Sequence, residues 1–230
     1  MSTLPLNARR VNMVLRVLLC NCLIAVLAFQ AQAVSARPTR IVVLGDSLVA
    51  GFQLKASEAF PAQLERALKA RGHSVDIINA GVSGDTTAGG LERLKWAVPA
   101  ETDAVILELG ANDALRGLDP ALAKSNLDKI IVELKASGAQ VLLAGMLAPR
   151  NLGSGYAAQF DAIYPELASK HGLLLYPFFL DGIAMEAQFN LADGMHPNSS
   201  GAAEIARRML PAVEQLIERV SSKRAAASRG

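Results

Sequence analysis

Between residues 40 and 220, short runs rich in Val, Ile and Leu alternate with longer segments of helical period, and this alternation restricts what the chain can fold into. The runs at 40–44, 74–79, 103–109, 140–145 and 173–176 read as buried strands, because they are short and rich in β-branched residues and leucine. Segments 61–71, 87–97, 120–137, 156–170 and 199–220 read as helices. Gly72, Gly138 and Gly172 each stand just past a helix ending in basic or polar residues and just before a strand. In strict β/α alternation every crossover returns the chain to the same end of the sheet. The expected fold class is therefore α/β, a parallel sheet with helices on both faces.

The composition sustains such a core. Of 230 residues 51% are hydrophobic and 19% charged, which is too apolar for a disordered chain. No internal repeat or linker divides residues 37–220, so they are expected to form one domain, with 221–230 as a flexible, alanine-rich tail. The net charge of +2 comes from near-equal acids and bases, and several bases (Arg9, Arg10, Arg16, Lys223, Arg224, Arg229) lie at the two ends. No dense basic face of the kind nucleic acid requires is expected.

Residues 1–36 read as a cleaved secretory signal: Arg9 and Arg10, an apolar run over 17–29, then the small-residue sites Ala31-Gln32-Ala33 and Val34-Ser35-Ala36, with cleavage within 33–36. The run falls short of the about 20 residues a spanning helix needs, which favours cleavage over a retained membrane anchor and leaves no stable membrane span. The expected location is periplasmic or secreted, and the Arg9-Arg10 pair leaves general and twin-arginine export both open. Cys20 and Cys22 fall inside the leader. The exported domain would contain no disulfide and rely on its core.

In open parallel sheets the ligand site forms beyond the carboxyl ends of the strands, so chemistry is expected in the loops that follow strands. The first strand runs into Gly45-Asp46-Ser47-Leu48, which puts a serine at that edge. The second ends in the string from Asn79 through Gly81 to Ser83-Gly84-Asp85-Thr86, where Gly84 permits close backbone approach. The third ends in Gly110-Ala111-Asn112-Asp113, and the Asn112 amide is a neutral donor suited to an oxyanion. Asp193-Gly194-Met195-His196-Pro197 precedes the last helix, while His73 and His171 lie in loops that precede strands. Taken singly, Ser47, Gly84 and Asn112 are each ordinary turn or capping residues. Together, four loops at one edge offer a nucleophile, a backbone donor, an amide donor and an acid–base pair.

These four blocks resemble those of the SGNH (GDSL) hydrolase superfamily, in the family's order and over about residues 41–206. The longer strings around Ser47, Gly84 and His196 are similar to the bacterial arylesterase, acyl-CoA thioesterase I and lysophospholipase group. The resemblance implies a flavodoxin-like three-layer α/β/α sandwich. It implies Ser47 as nucleophile, His196 as proton shuttle and Asp193 as its orienting acid, with an oxyanion hole made of the Ser47 N–H, the Gly84 N–H and the Asn112 amide. Ala111 stands where many relatives have a second glycine.

The expected activity is hydrolysis of a small acyl or aryl ester or thioester through an acyl-Ser47 intermediate, with no cofactor. Leu115, Leu118, Leu152 and Tyr156 are candidate acyl-groove residues, although ordinary loop packing would place them equally well. Asp46, Asp85 and Asp113 follow glycine or asparagine in turns and lack a His/Cys cluster, which favours hydrogen bonding over a metal site. The alternatives are deacetylation of a cell-envelope carbohydrate, disfavoured by a single tryptophan, Trp96, and a non-catalytic binding module of the same fold. A flavin site is weaker still, because the loop after the first strand lacks the hydroxyls and donors expected around a phosphate. Oligomeric state is not legible in the sequence.

Overall fold

The structure, a computed structural model, describes residues 37–229, so the proposed leader with Cys20 and Cys22 lies outside the described residues. Strands β1 (Thr39–Gly45), β2 (Val75–Gly81), β3 (Ala104–Glu108), β4 (Gln140–Ala144) and β5 (Leu174–Tyr176) form one sheet in the order β2-β1-β3-β4-β5. Every neighbouring pair is parallel, with Val43 opposite Asn79 on one side and Ile106 on the other. The interior strands bury both faces: residues 41–44 of β1 and 105–107 of β3 expose no surface, which is why these runs carry no polar alternation. Strand β2, at the sheet's edge, is only partly buried.

The helices are α1 (Ser47–Ala50), α2 (Phe60–Ala70), α3 (Thr87–Ala97), α4 (Ala111–Leu115), α5 (Pro120–Ala136), α6 (Ser154–His171) and α7 (Ser199–Ala227). Helices α2 and α7 pack together on one side of the sheet, while α3, α5 and α6 form a row on the other. The result is the three-layer sandwich. Their starts follow from local chemistry: Thr86, Asp119 and Asn198 cap α3, α5 and α7 by accepting backbone N–H groups of the first turn, and Pro120 occupies the first position of α5. Among the described residues no helix is long and apolar enough to cross a membrane.

The end of the last helix and the turns after β1 and β3 differ from the sequence reading. Helix α7 continues through 221–227, where a flexible tail was expected, because Arg224 Nη2 bonds Asp103 Oδ2 at 2.7 Å and Lys223 Nζ bonds the Gly138 carbonyl. The single-turn helices α1 and α4 were unforeseen, being too short to show a period. Both matter for position: the chain leaves β1 toward β2 and returns to the opposite side of β1 to form β3. The loops after β1 and β3 therefore diverge and open a crevice, the switch point of a doubly wound sheet. α1 and α4 start in that crevice.

Candidate active site

Strand β1 stops at Gly45, and Asp46 caps α1 by accepting the Leu48 N–H at 3.0 Å on Oδ1. Ser47 is thereby fixed as the first residue of α1, where its N–H has no helical carbonyl to bond. On the other bank, the segment before α7 is pinned by a Leu191 N–H to His196 carbonyl bond of 2.7 Å and an Asn198 N–H to Phe189 carbonyl bond of 2.9 Å. This brings His196 across 149 residues of sequence to place Nε2 2.9 Å from Ser47 Oγ. His196 Nδ1 lies 2.7 Å from Asp193 Oδ2.

The electrostatics assign the imidazole's proton. Asp193 Oδ1 accepts the N–H groups of His196 (3.0 Å) and Met195 (2.9 Å), and these backbone bonds, with the imidazole contact, lower its pKa from 3.8 to about 2. An ionised carboxylate can only accept, so in the neutral imidazole Nδ1 carries the proton and Nε2 turns its lone pair to the serine hydroxyl. That is the polarity a general base needs. Phe52 covers the imidazole, with ring centroids 4.4 Å apart. This contact was missed in the sequence, where Phe52 is one aromatic residue in a loop.

Gly84 takes a φ of +85°, a conformation that strains other residues, and its carbonyl accepts a 2.7 Å bond from Arg116 Nη2. Asn112, in the first turn of α4, donates from Nδ2 to Asp46 Oδ2 at 3.0 Å and to the Asp85 carbonyl at 2.9 Å. The amide thus lies between the turns after β1 and β2. Both of its protons are engaged, however, so donation to an oxyanion requires one of these bonds to be redirected or shared.

The remaining site aspartates make hydrogen bonds. Asp113 accepts the Thr87 N–H (2.8 Å) and hydroxyl (2.6 Å), and Asp85 pairs with Arg93 at 2.5 Å. Arg93 is almost fully buried and also donates at 2.8 Å to the carbonyls of Ala80 and Gly45, tying together the ends of β1 and β2. Its role was not visible in the sequence, where it is one more basic residue on a helix. Among the described residues no cluster of three His, Cys, Asp or Glu is placed to hold a metal ion. His73 and His171 lie elsewhere, against Glu214 at 3.2 Å and Asp128 at 2.6 Å.

Ser47, Asn112 and His196 open onto a cleft of about 330 Å³. Leu115 lines it, but Leu118, Leu152 and Tyr156 do not. The Tyr156 hydroxyl donates to the Leu118 carbonyl at 2.8 Å and its ring stacks on Phe160. Leu152 lies in a single turn of 3₁₀ helix, half-buried. The apolar lining comes instead from the loops after β4 (Met146, Leu147, Pro149) and β5 (Phe178, Leu180, Ala184, Met185), with Met195 beside His196.

A parallel sandwich with an apolar cleft at its switch point is the framework of many α/β enzymes. Residues 43–204 match the GDSL-like Lipase/Acylhydrolase family, and the chain belongs to that family. It is 41% identical over 182 residues to an arylesterase of Vibrio mimicus, covering 79% of this chain and 91% of the relative. It is 35% identical to thioesterase 1/protease 1/lysophospholipase L1 of Escherichia coli K12, covering 84% of this chain and 90% of the relative. The crystal structure of TesA superposes with a TM-score of 0.73 at 36% identity, over 77% of this chain and 99% of that one.

Proposed function

We propose that the protein is a serine esterase that hydrolyses carboxylic esters or thioesters bearing an apolar acyl or aryl group, through an acyl-Ser47 intermediate. The observation that carries this reading is the continuous Asp193–His196–Ser47 relay, with contacts of 2.7 and 2.9 Å, at the mouth of an apolar cleft. His196 removes the Ser47 proton as Oγ attacks the ester carbonyl, and Asp193 stabilises the imidazolium that forms. The same proton passes to the departing alcohol or thiol. Water then attacks the acyl group, again deprotonated by His196. The Ser47 and Gly84 N–H groups and the Asn112 amide are the donors assigned to the carbonyl oxygen as it gains charge.

The reading favours acyl and aryl groups over sugars, because methionine and leucine dominate the lining and Trp96 is not part of it. Leu115, Leu147, Met185 and Met195 are exposed at the cleft, where burial of their apolar surface against a substrate chain is favourable. The test is a panel of nitrophenyl esters and acyl-CoA thioesters of increasing chain length, run with the parent and with Ser47→Ala. A fluorophosphonate probe should label the parent on Ser47. A panel with no turnover and an unlabelled Ser47 would return the protein to the class of binding modules.

Export completes the proposal, and its support is the leader's sequence alone. N-terminal sequencing and intact mass of the exported protein should show a chain starting within or just after 33–36 and lacking both cysteines.

A further inference from the structure

Glu108 ends β3 and exposes none of its surface. Oε2 accepts the Asp46 N–H at 3.3 Å, whereas Oε1 is buried and no donor among the described residues reaches it. The carboxyl is wedged beneath the turn that carries Ser47: a Cβ added to Gly45 would stand 2.6 Å from Oε2 and 2.8 Å from the Glu108 carbonyl oxygen. An ionised carboxylate left unpaired there would cost several kcal/mol.

The surrounding groups do not supply a cation. From the β1–α1 turn Glu108 meets Asp46, another fully buried carboxyl. From α6 it faces Tyr164, whose hydroxyl donates to the Leu109 carbonyl at 2.9 Å, and Asp113 of α4 adds a further negative charge near that hydroxyl. The cation of this region, Arg93 on α3, is bonded to Asp85 and to the Ala80 and Gly45 carbonyls. Burial, then the charge of Asp46, push the Glu108 carboxyl well above the usual carboxylate range. Burial likewise raises Asp46, to about 6, against the opposing pull of the Leu48 N–H, His196 and the Asn112 amide. The Asp46 N–H bond to Oε2 ties two fully buried carboxyl groups to one turn, and two carboxyls so placed without a cation do not both ionise. Asp46 accepts two donors on its oxygens and Glu108 only one weak one, so the charge belongs on Asp46 and the proton on Glu108.

We propose that Glu108 is a positioning residue that carries a buried proton and donates it to Asp46, holding that carboxylate so that its oxygens fix the Leu48 N–H and the Asn112 amide beside Ser47. The inference rests on Ser47 being the nucleophile. Glu108 touches no substrate; it acts through Asp46 on the turn and on the amide donor.

The spectroscopic test is infrared difference spectroscopy of the parent and Glu108→Gln at about pH 8, where an ordinary carboxyl is ionised. The parent should show a protonated-carboxyl band that shifts in deuterated water and is missing from Glu108→Gln. The kinetic test sets Glu108→Gln, whose amide still donates, beside Glu108→Leu, which fills similar space without a donor. Gln should keep kcat within about threefold of the parent, whereas Leu should lose at least about tenfold in kcat with KM nearly unchanged. A parent with no such band, or a Leu variant as active as the Gln variant, would overturn the proposal. If a variant fails to fold, the parent's band, persisting at about pH 8 and lost at more alkaline pH, decides alone. Failure of a fluorophosphonate to label the parent would instead count against the hydrolase reading, and the infrared result is independent of that.

Discussion

Two histidine–carboxylate pairs in this molecule look alike until their surroundings are compared. His171 Nε2 lies 2.6 Å from Asp128, and His196 Nδ1 lies 2.7 Å from Asp193. Asp128 is already neutralised: Lys170 Nζ contacts both of its oxygens, at 2.8 and 2.9 Å, and is the leading cause of its lowered pKa. Asp193 is instead held by two backbone N–H groups, and its charge faces the imidazole. The other nitrogen of His196 meets a serine at the carboxyl edge of the sheet, whereas His171 closes a helix next to the strand-entry edge. A short contact to a carboxylate does not make a catalytic histidine. His196 differs in the nitrogen it turns to Ser47, in the carboxylate behind it that no lysine neutralises, and in the edge of the sheet it occupies.

The largest expected effects should fall on one pair only. Ser47→Ala and His196→Ala should each lower kcat by about 10⁴-fold or more, and the double variant should be no worse than either, because the residues act as one unit. His171→Ala should leave kcat within about twofold and cost about 1–3 kcal/mol of stability, because its side chain is only 11% exposed and truncation leaves a gap beside Asp128. Steady-state kinetics with denaturant unfolding separate these outcomes. Loss of turnover in His171→Ala with an intact fold would break the comparison.

Next comes the acid behind the histidine. Asp193→Asn keeps the shape but turns an obligate acceptor into a group that can hold the wrong tautomer, and should lower kcat by about 10²–10⁴-fold. Asp128→Asn should leave kcat unchanged. Asn112→Ala is expected to lower kcat by about 10²–10³-fold with KM nearly constant. Because its amide also bonds Asp46 and the Asp85 carbonyl, the variant should in addition unfold about 1–3 kcal/mol more easily. A stable, folded Asn112→Ala with parental kcat would reduce Asn112 to a turn residue.

The smallest effects concern the pH dependence of stability, and two site aspartates should behave oppositely. Asp193 is lowered from 3.8 to about 2, so its stabilising contribution is present above about pH 4 and lost as pH falls through about 2. Asp46 is raised from 3.8 to about 6 by burial, so its contribution is present below about pH 4 and lost as pH rises through about 6. Thermal unfolding of Asp193→Asn should therefore converge on the parent at low pH. Asp46→Asn should gain relative to the parent between about pH 4 and 6. Parallel melting curves for parent and variants across this range would remove the electrostatic account of both residues.

Much of the fold was legible because its signals are local. Residues 41–44 and 105–107 are apolar without alternation because both faces are covered, and α5 and α6 stop ahead of Gly138 and Gly172. Helix α7 outran its expected end because its tethers, Asp103 and the Gly138 carbonyl, lie far away in sequence. That Ser47, Asn112 and His196 meet at one edge was legible because topology sends the loops after β1 and β3 there and His196 follows the last strand. The cleft wall was not. Met146, Phe178 and Met185 sit in irregular loops with no period, and Tyr156 was misplaced because its hydroxyl turns to the Leu118 carbonyl. Glu108 read as one polar residue at a strand end, and nothing in the sequence discloses that the strand buries it beneath Asp46.

Ser47, at the β1–β3 switch point, is expected to become covalently acylated during turnover. Acid-quenched samples taken during hydrolysis of a nitrophenyl ester, analysed by intact mass and peptide mapping, test it directly. An adduct with the mass of the acyl group is expected on the peptide containing Ser47, absent from Ser47→Ala and decaying as substrate is exhausted. Sustained turnover with no adduct on Ser47, or with the acyl group on another residue, would contradict it.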